Sequence, residues 1–598
     1  MPRKATARSK TFAVSVQPDG LVLTAGSGEL LSEVLEKAGL ALNLYCGGRG
    51  VCGKCAVSVL EMSGLPAHEV RGPQLVRALH DQGSGQRACL LRIGADLAVL
   101  IPDEARRVEV RVLDTSAPGL LPLNPAVKLF RLPAGSFTGS PPLLRPQALR
   151  RALGMPRLRV EAAAEPGRTS AEAAPETGHA AVVYAGRELV DVIPVTSKPN
   201  VCGLAVDLGT TTVAVELVDL ESGIVLGRAS GLNHQVSYGA DVVSRISSAF
   251  QDTHKLRRLQ RAAADTVAEL AREAAVGSGT AMDRVYDIVV AGNTAMNHFL
   301  RGVPADSLAA IPFEAAFTTG PTFPAAEVGL NFNRRTRVYL APNIRSFVGG
   351  DVSAGLTALG LDTTGGNVLF VDLGTNGEVV VKNGRRMSAA STAVGPAFEG
   401  TAVSCGMLAG PGAVEAARWD GGFRLKVIGG AEPRGVCGSG LVDVTAVALE
   451  QGLVAADGRI LSPSKKLRLA GDLFLNQQDI RNIQLAAAAV KTAVRLVLEE
   501  AGLKPDALDR VCVAGAFGNR LDPEHARLLG LVPDVPSSRV EFVGNSSLAG
   551  ARAMLLSQEA RLKAERLARR VRHVNLAARP DFQDLYAACL RFGPVKMG

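Results

Sequence analysis

The chain has 598 residues, 47% of them hydrophobic and 21% charged, with a formal net charge of +9. This is the composition of a globular protein with room for roughly three or four domains, and it excludes a disordered or fibrous chain. The charge excess is local: from position 551 to the end, ten Lys/Arg stand against four Asp/Glu, so the tail alone supplies +6. No aromatic-studded basic stripe accompanies it, so it reads as a solvated helical face and not as a nucleic-acid site. The basic start MPRKATARSK leads into no apolar signal core, and no run of about 18 apolar residues follows. The expectation is no membrane span and a cytoplasmic protein.

In chain order, residues 21–25 read as a strand and 29–40 (ELLSEVLEKAGL) as a helix ending near Gly39. Then comes CGGRGVCGKC, with Cys46, Cys52 and Cys55 among four glycines, completed by Cys89 in RACL. The spacing C-x5-C-x2-C with a distant fourth cysteine is close to the plant-type pattern for a 2Fe–2S cluster, with one extra loop residue. Glycines let backbone N–H groups turn toward the sulfides and stabilise their charge. Zinc remains an alternative, although only one CxxC pair is present. Disulfides remain another, although nothing marks a secreted chain. Gly48, Gly53 and Lys54 also fit G-x-x-x-x-G-K, but Cys55 stands where a P-loop needs Ser or Thr. Residues 10–103 resemble a β-grasp ferredoxin of the adrenodoxin-like kind, which implies ligand roles for Cys46, Cys52, Cys55 and Cys89.

Residues 104–119 read as a linker and 120–198 as a small middle domain. Within it, 127–132 is strand-like, 145–153 helical, 161–179 low-complexity and 180–195 extended. Cys202, Cys405, Cys437, Cys512 and Cys589 sit in apolar or Gly-rich contexts and read as buried thiols.

From 199 to 598 apolar strands alternate with helices and Gly-rich turns, which indicates α/β architecture. The segment CGLAVDLGTTTVAVEL (202–217) is echoed by VLFVDLGTNGEVVV (368–381). A strand–turn–strand tip with Gly and Thr can cradle phosphate, and an Asp ending a buried strand suits a water-mediated Mg2+ contact. Two ordinary hairpins are the bland alternative. A third element, VCVAGAFGN (511–519), is a strand with a Gly-rich turn.

These elements resemble the superfamily of acetate and sugar kinases, heat-shock chaperone ATPases and actin. The resemblance implies two ribonuclease-H-like halves with ATP between them. It assigns Asp207, Gly209, Thr210 and Thr211 to a first phosphate site, and Asp372, Gly374, Thr375 and Gly377 to a second. Gly515, Ala516, Phe517 and Gly518 become an adenosine loop, and Asp207 and Asp372 the catalytic pair working with Mg2+.

Further strings are NHQVSYGADVVSRI (233–246), AGNTAMNH (291–298), GPAFEG (395–400), QQDIRNIQLA (477–486) and FVGNSSLAGA (542–551). With the cysteine loop they resemble the reductive activators of corrinoid proteins over essentially the whole chain. His234 and His298 read as structural hydrogen-bonders.

The resemblance implies an ATP-dependent electron transfer from the cluster to the Co(II) corrinoid of a methyltransferase-system protein, restoring Co(I). One electron moved uphill costs about 1.4 kcal/mol per ~59 mV, so a gap of roughly 200 mV is about 5 kcal/mol, within reach of nucleotide binding. It also implies a homodimer and leaves the electron donor unnamed. Three alternatives stay open: a 2Fe–2S carrier with a non-hydrolysing nucleotide domain, a redox-sensing small-molecule kinase, and a dehydratase activator. Communication between cluster and cleft is expected through the 104–119 linker and not through direct contact.

Overall fold

The computed structural model describes residues 11–40, 42, 50, 53–62, 65–66, 85–102, 105–106, 122–132, 137–138, 143–144, 146–160, 179–194, 201–400, 402–515 and 521–595. Cys46, Cys52, Ala516, Phe517 and Gly518 lie outside them, as do 161–178 and most of the 104–119 linker.

The N-terminal module carries β1 (Thr11–Gln17), β2 (Leu21–Gly26), α1 (Leu31–Lys37), β3 (Ala56–Met62), β4 (Leu65–Pro66), β5 (Gln86–Arg87) and β6 (Leu97–Leu100). The sheet runs β2-β1-β6-β3-β4, with β5 paired to β3. β1 and β6 are parallel and the pairs beside them antiparallel, a β-grasp arrangement. Leu31, Val34 and Leu35 stand on one face of α1 at i, i+3 and i+4 and pack on Val14, Val16 and Val99 of the sheet. The helix is shorter than the 29–40 expected. Leu30 is drawn into a bridge with Arg92, and Gly39 takes φ +80 just past the end. Ala105 is buried in the same core and Arg106 pairs with Asp19, so the first residues assigned to the linker pack with this module.

The middle region holds β7 (Val127–Arg131), α2 (Pro146–Ala152), β8 (His179–Tyr184) and β9 (Glu188–Pro194), with sheet order β9-β8-β7. Ala181, Val183 and Leu189 cover Leu149 of α2 on one face. Val182 and Val190 on the other face meet Val201 and Leu555 of the large domain. Burial on both faces explains why β8 reads as an unbroken apolar run.

The first half of the large domain contains β10 (Cys202–Leu208), β11 (Thr212–Asp219), β12 (Val225–Leu232), α3 (Val242–Ala249), α4 (Thr253–Val276), β13 (Val285–Gly292), α5 (Thr294–Arg301), β14 (Thr322–Pro324), β15 (Arg337–Leu340) and α6 (Gly350–Ala358). The second contains β16 (Val368–Leu373), β17 (Asn376–Asn383), β18 (Arg386–Ala393), α7 (Gln477–Ala501), β19 (Arg510–Gly515), β20 (Val540–Gly544), α8 (Ser546–Leu556), α9 (Gln558–Arg570) and β21 (Val571–His573). The sheets run β12-β11-β10-β13-β15-β14 and β20-β19-β16-β17-β18-β21. In both, three antiparallel strands precede a parallel one. Asp207 and Asp372 occupy equivalent registers, opposite Ala291 of β13 and Ala514 of β19. The DLGT echo is therefore a structural duplication.

The halves meet where α6 crosses α8. A Cβ on Gly550 would stand 2.1 Å from Ala354 O, and one on Gly355 2.8 Å from Ser546 Oγ. Only glycine permits backbones this close.

Candidate functional site

The strand ends of the two halves face one another across an open cleft. Asp207, Gly209, Thr210 and Thr211 line one wall. Asp372, Gly374, Thr375 and Gly515 line the other. Gly377 lies behind the second turn, where a Cβ would meet Val394 at 2.7 Å. The turns touch, with Thr211 Oγ1 and Thr375 Oγ1 3.0 Å apart.

The first turn is braced from outside. Asn233 Nδ2 donates to Gly209 O at 2.8 Å, and Asn293 Nδ2 to Thr210 Oγ1 at 2.9 Å. Arg245, with no exposed surface, donates from Nη2 to Thr210 O at 2.6 Å and from Nε to Gly239 O at 2.8 Å. Asp207 accepts from Asn545 Nδ2 at 2.8 Å and Ser547 Oγ at 2.9 Å, at the start of α8. These partners fall inside the strings 233–246, 291–298 and 542–551. Those strings are the scaffold of the first turn.

The second wall is acidic. Asp351 at the start of α6 and Glu378 on β17 line the cleft with Asp372. Burial, then the neighbouring Asp207, pushes Asp372 up to about 7. Burial, then Asp372, pushes Asp351 up to about 8. Glu378 is raised by burial, then by Asp351 and Asp372. Burial also raises Asp207, opposed by its two hydrogen bonds. No Lys or Arg lines the cleft among the described residues. Glu399 accepts from Thr375 Oγ1 at 2.5 Å, and its other oxygen is buried without a hydrogen-bond partner, as is Ser546 Oγ.

Such a cleft suits a nucleotide carrying a divalent cation. Among the described residues the acids form no ready three-ligand cage. Mg2+ does not need one, because it is held through water and substrate phosphates with one or two carboxylates. Gly515 has φ +111, and a Cβ there would meet Leu373 O at 2.1 Å, so only glycine lets this strand end lie so close to the second turn. Asp351, Glu378, Glu399 and Arg245 were missed by sequence reasoning. The available signals were an acid opening a helix after Gly-Gly, and the one acid in GPAFEG.

His298 is buried, stacked on Phe317, its Nδ1 on Thr294 O and its Nε2 accepting from Ala316 N. His234 pairs with Glu269. Neither lines the cleft, as expected. Cys202, Cys437, Cys512 and Cys589 are buried thiols, and Cys405 is half-buried.

At the cluster loop, Ala88 N donates to Cys55 O at 3.1 Å, and Ala56 pairs with Arg87, so the β3–β5 ladder carries Cys55 and Cys89 to the same place. Both are buried in the module core. Gly50 (φ +70) and Gly53 (φ +71) need the left-handed region, and Leu90 covers Gly50 too closely for any Cβ. Two buried thiols joined through the β3–β5 ladder, with positive-φ glycines at 50 and 53, fit an iron–sulfur cluster. The loop also reaches the large domain: Lys54 Nζ donates to Ser404 O and Gly406 O, each at 2.8 Å. The expected route through the 104–119 linker did not include this contact between the two domains.

A ferredoxin module joined to a duplicated α/β domain with a phosphate-binding cleft defines an iron–sulfur protein of the actin-like ATPase class. Residues 14–94 match the model of the 2Fe–2S iron–sulfur cluster binding domain, 202–364 that of the RACo middle region and 366–597 that of the C-terminal domain of RACo, the ASKHA domain. The corrinoid activation enzyme RamQ of Eubacterium limosum is 31% identical over 94% of this chain and 96% of its own length. The chain belongs to the family of reductive activators of corrinoid proteins. A Co(II) methylated amine-specific corrinoid protein reductase of Methanosarcina barkeri is 26% identical over 65% of this chain and 77% of its own. The solved structure of a reductive activator for corrinoid, iron–sulfur protein aligns with a TM-score of 0.71 at 29% identity, covering 97% of this chain and 98% of that one. The cofactors are a 2Fe–2S cluster and ATP with Mg2+. Among the described residues no helix is long and apolar enough to cross a membrane.

Proposed function

We propose that the chain passes an electron from its cluster to the Co(II) corrinoid of a methyltransferase-system protein, restoring Co(I), and hydrolyses Mg–ATP to do so. The observation that carries the nucleotide half is the facing pair of DLGT turns backed by Asp207, Asp351, Asp372 and Glu378, with no Lys or Arg lining the cleft among the described residues. When bound, the cluster supplies single electrons and Mg–ATP the free energy for uphill transfer.

In this reading Gly209, Thr210 and Thr211 hold one part of the phosphate chain, and Gly374 and Thr375 another, with Gly377 supporting their turn. Asp207 and Asp372 would hold Mg2+ through its bound water, and the ion would supply positive charge to the phosphates. Gly515, with Ala516, Phe517 and Gly518, takes the adenosine. Arg245, Asn233 and Asn293 hold the first turn fixed, so its N–H groups need no reorganisation as charge develops. Cys46, Cys52, Cys55 and Cys89 are the iron ligands, and the working unit is a homodimer, which sedimentation checks.

The test is nucleotide hydrolysis by the cluster-loaded protein with a Co(II) corrinoid partner. Parent protein is expected to release phosphate, and Asp207→Ala and Asp372→Ala to release little, all with the same visible spectrum. Parent-rate hydrolysis in both variants contradicts the site. No hydrolysis by the parent, with electron transfer retained, leaves a nucleotide-binding electron carrier instead. In parallel, Cys89→Ala is expected to lose the cluster spectrum, and Cys405→Ala to keep it.

A further inference from the structure

Lys54 lies between Gly53 and the iron-ligand candidate Cys55, yet its ammonium is seated on another domain, on Ser404 O and Gly406 O. Those carbonyls are two residues apart and point the same way. The one between them, Cys405 O, turns back to accept from Val436 N at 2.9 Å. Ser404 and Cys405 sit in a turn closed by Gly406 N, which donates to Val403 O at 3.0 Å, and the turn presents a two-oxygen seat for one compact cation.

The seat is rigid. Ser404 donates its N–H and its hydroxyl to Asp479 at 2.7 and 2.6 Å, Asn482 Nδ2 donates to Ala402 O at 2.7 Å, and Met407 N donates to Val436 O at 3.0 Å. Asp479 and Asn482 belong to the first turns of α7. The neck of the loop is pinched shut. A Cβ on Gly406 would stand 2.1 Å from Gly400 O, and one on Gly400 2.5 Å from Met407 O. A shift of Gly400 therefore moves Gly406 with it, because there is no slack between them.

Gly400 follows Glu399, the residue that accepts from Thr375 Oγ1 between the two phosphate turns. A phosphate entering those turns competes with the Glu399 carboxylate for the same hydroxyl donors and repels it. The path from cleft to cluster loop is thus short and contiguous: Thr375, Glu399, Gly400, Gly406, Lys54. It begins at a phosphate turn and ends at the ammonium beside Cys55.

We propose that Lys54 is a positioning residue that seats the cluster loop on the 402–407 loop and so links cluster oxidation state to nucleotide occupancy of the cleft. The inference rests on the proposed function and adds to it a route and a sign of charge. An electron added beside Cys55 draws the Lys54 ammonium toward itself and loosens its hold on the two carbonyls. Displacement of Glu399 loosens the same seat from the other side. Coupling of this kind is reciprocal.

The test uses the full-length, cluster-loaded protein and needs no corrinoid partner. Affinity for a Mg2+ complex of a non-hydrolysable ATP analogue is measured with the cluster oxidised and after reduction by Ti(III) citrate, in parent, Lys54→Met, Lys54→Arg and Gly406→Ala. Parent is expected to show an affinity ratio of about fivefold or more between the two states, equivalent to ~40 mV in cluster potential. Lys54→Met and Gly406→Ala are expected to bring the ratio to within about twofold of unity, with the oxidised cluster spectrum unchanged. Lys54→Arg, which keeps the charge, is expected to restore part of it. A parent-like ratio in Lys54→Met overturns the proposal, and so does loss of its cluster spectrum, which would make Lys54 a cluster-assembly residue. Failure of the parent to bind the analogue at all overturns the nucleotide cleft itself. A parent that binds with a ratio of one overturns only the coupling.

Discussion

The two phosphate turns have the same sequence, DLGT, and equivalent positions in duplicated sheets, yet their surroundings differ. The first is held by five side chains, from Asn233, Arg245, Asn293, Asn545 and Ser547. The second has Thr375 on Glu399 and, among the described residues, no side-chain donor to Asp372. Its neighbours are the acids Asp351 and Glu378, whose proton affinity is raised first by burial and then by nearby carboxylates, Asp372 acting on Asp351, and Asp351 and Asp372 on Glu378. Duplication has given one wall that is pre-organised and one that is electrostatically stressed until a cation arrives. The braced turn fixes where phosphate sits. The stressed turn makes the site respond to charge.

The comparison breaks most visibly at the aspartates. Asp207→Ala and Asp372→Ala are both expected to lower ATP turnover by about 10²–10³-fold. Their effects on metal-free stability should have opposite signs. Asp372→Asn relieves repulsion from Asp207, Asp351 and Glu378, and is expected to raise the melting temperature by a few degrees, roughly 1–2 kcal/mol. Asp207→Asn keeps one acceptor oxygen for two donors and is expected to lower it. Calorimetry on EDTA-treated protein reads both, and equal signs would erase the distinction between the walls.

Arg245→Met tests the brace. It leaves Thr210 O and Gly239 O buried without their donor, a loss of about 1–3 kcal/mol each. Nucleotide affinity should fall about 10–100-fold, and Arg245→Lys should not rescue it, because one ammonium cannot reach both carbonyls in the guanidinium geometry. Affinity unchanged by calorimetric titration would leave Arg245 a fold residue only.

The stressed wall predicts a pH dependence. Asp372 holds its proton up to about pH 7 in the metal-free fold, well above an unfolded aspartate at about 3.9. The folded state therefore binds the extra proton in that window, and metal-free stability falls as pH rises through it, by up to about 1.4 kcal/mol per unit. Mg2+ displaces the proton, so Mg–nucleotide affinity should rise up to about tenfold per unit below pH 7 and level off near 8. An affinity flat from pH 5.5 to 8 would mean that Asp372 is already ionised. The smallest effect is expected from Glu399→Gln, which keeps a hydrogen-bond acceptor and removes repulsion. Nucleotide should bind a few-fold tighter, by roughly 1 kcal/mol.

Both phosphate turns were legible in the sequence because a strand, DLGT and a second strand recur with the same apolar pattern. The cysteine loop was legible because iron ligation fixes spacing. The acids were not. Asp351 and Glu378 reach the cleft from a helix start and from a strand whose register only the folded sheet sets, and neither carries a local pattern. Nor was Lys54 legible as a docking residue, since its partners lie about 350 positions away in sequence. The braces were present in the recognised strings, but nothing in those strings says which turn they hold. The 31–37 helix came out shorter than its periodicity because a bridge at Leu30 competes for the first turn.

The most direct measurement follows cobalt and cluster together under anaerobic conditions. Protein with a pre-reduced cluster is mixed with a Co(II) corrinoid protein, with excess reductant removed, and both absorption spectra are recorded with Mg–ATP and without nucleotide. The account predicts one Co(I) formed per cluster reoxidised when Mg–ATP is present, and almost none without it. Equal Co(I) formation in the absence of nucleotide, or ATP consumed while cobalt stays Co(II), would contradict it.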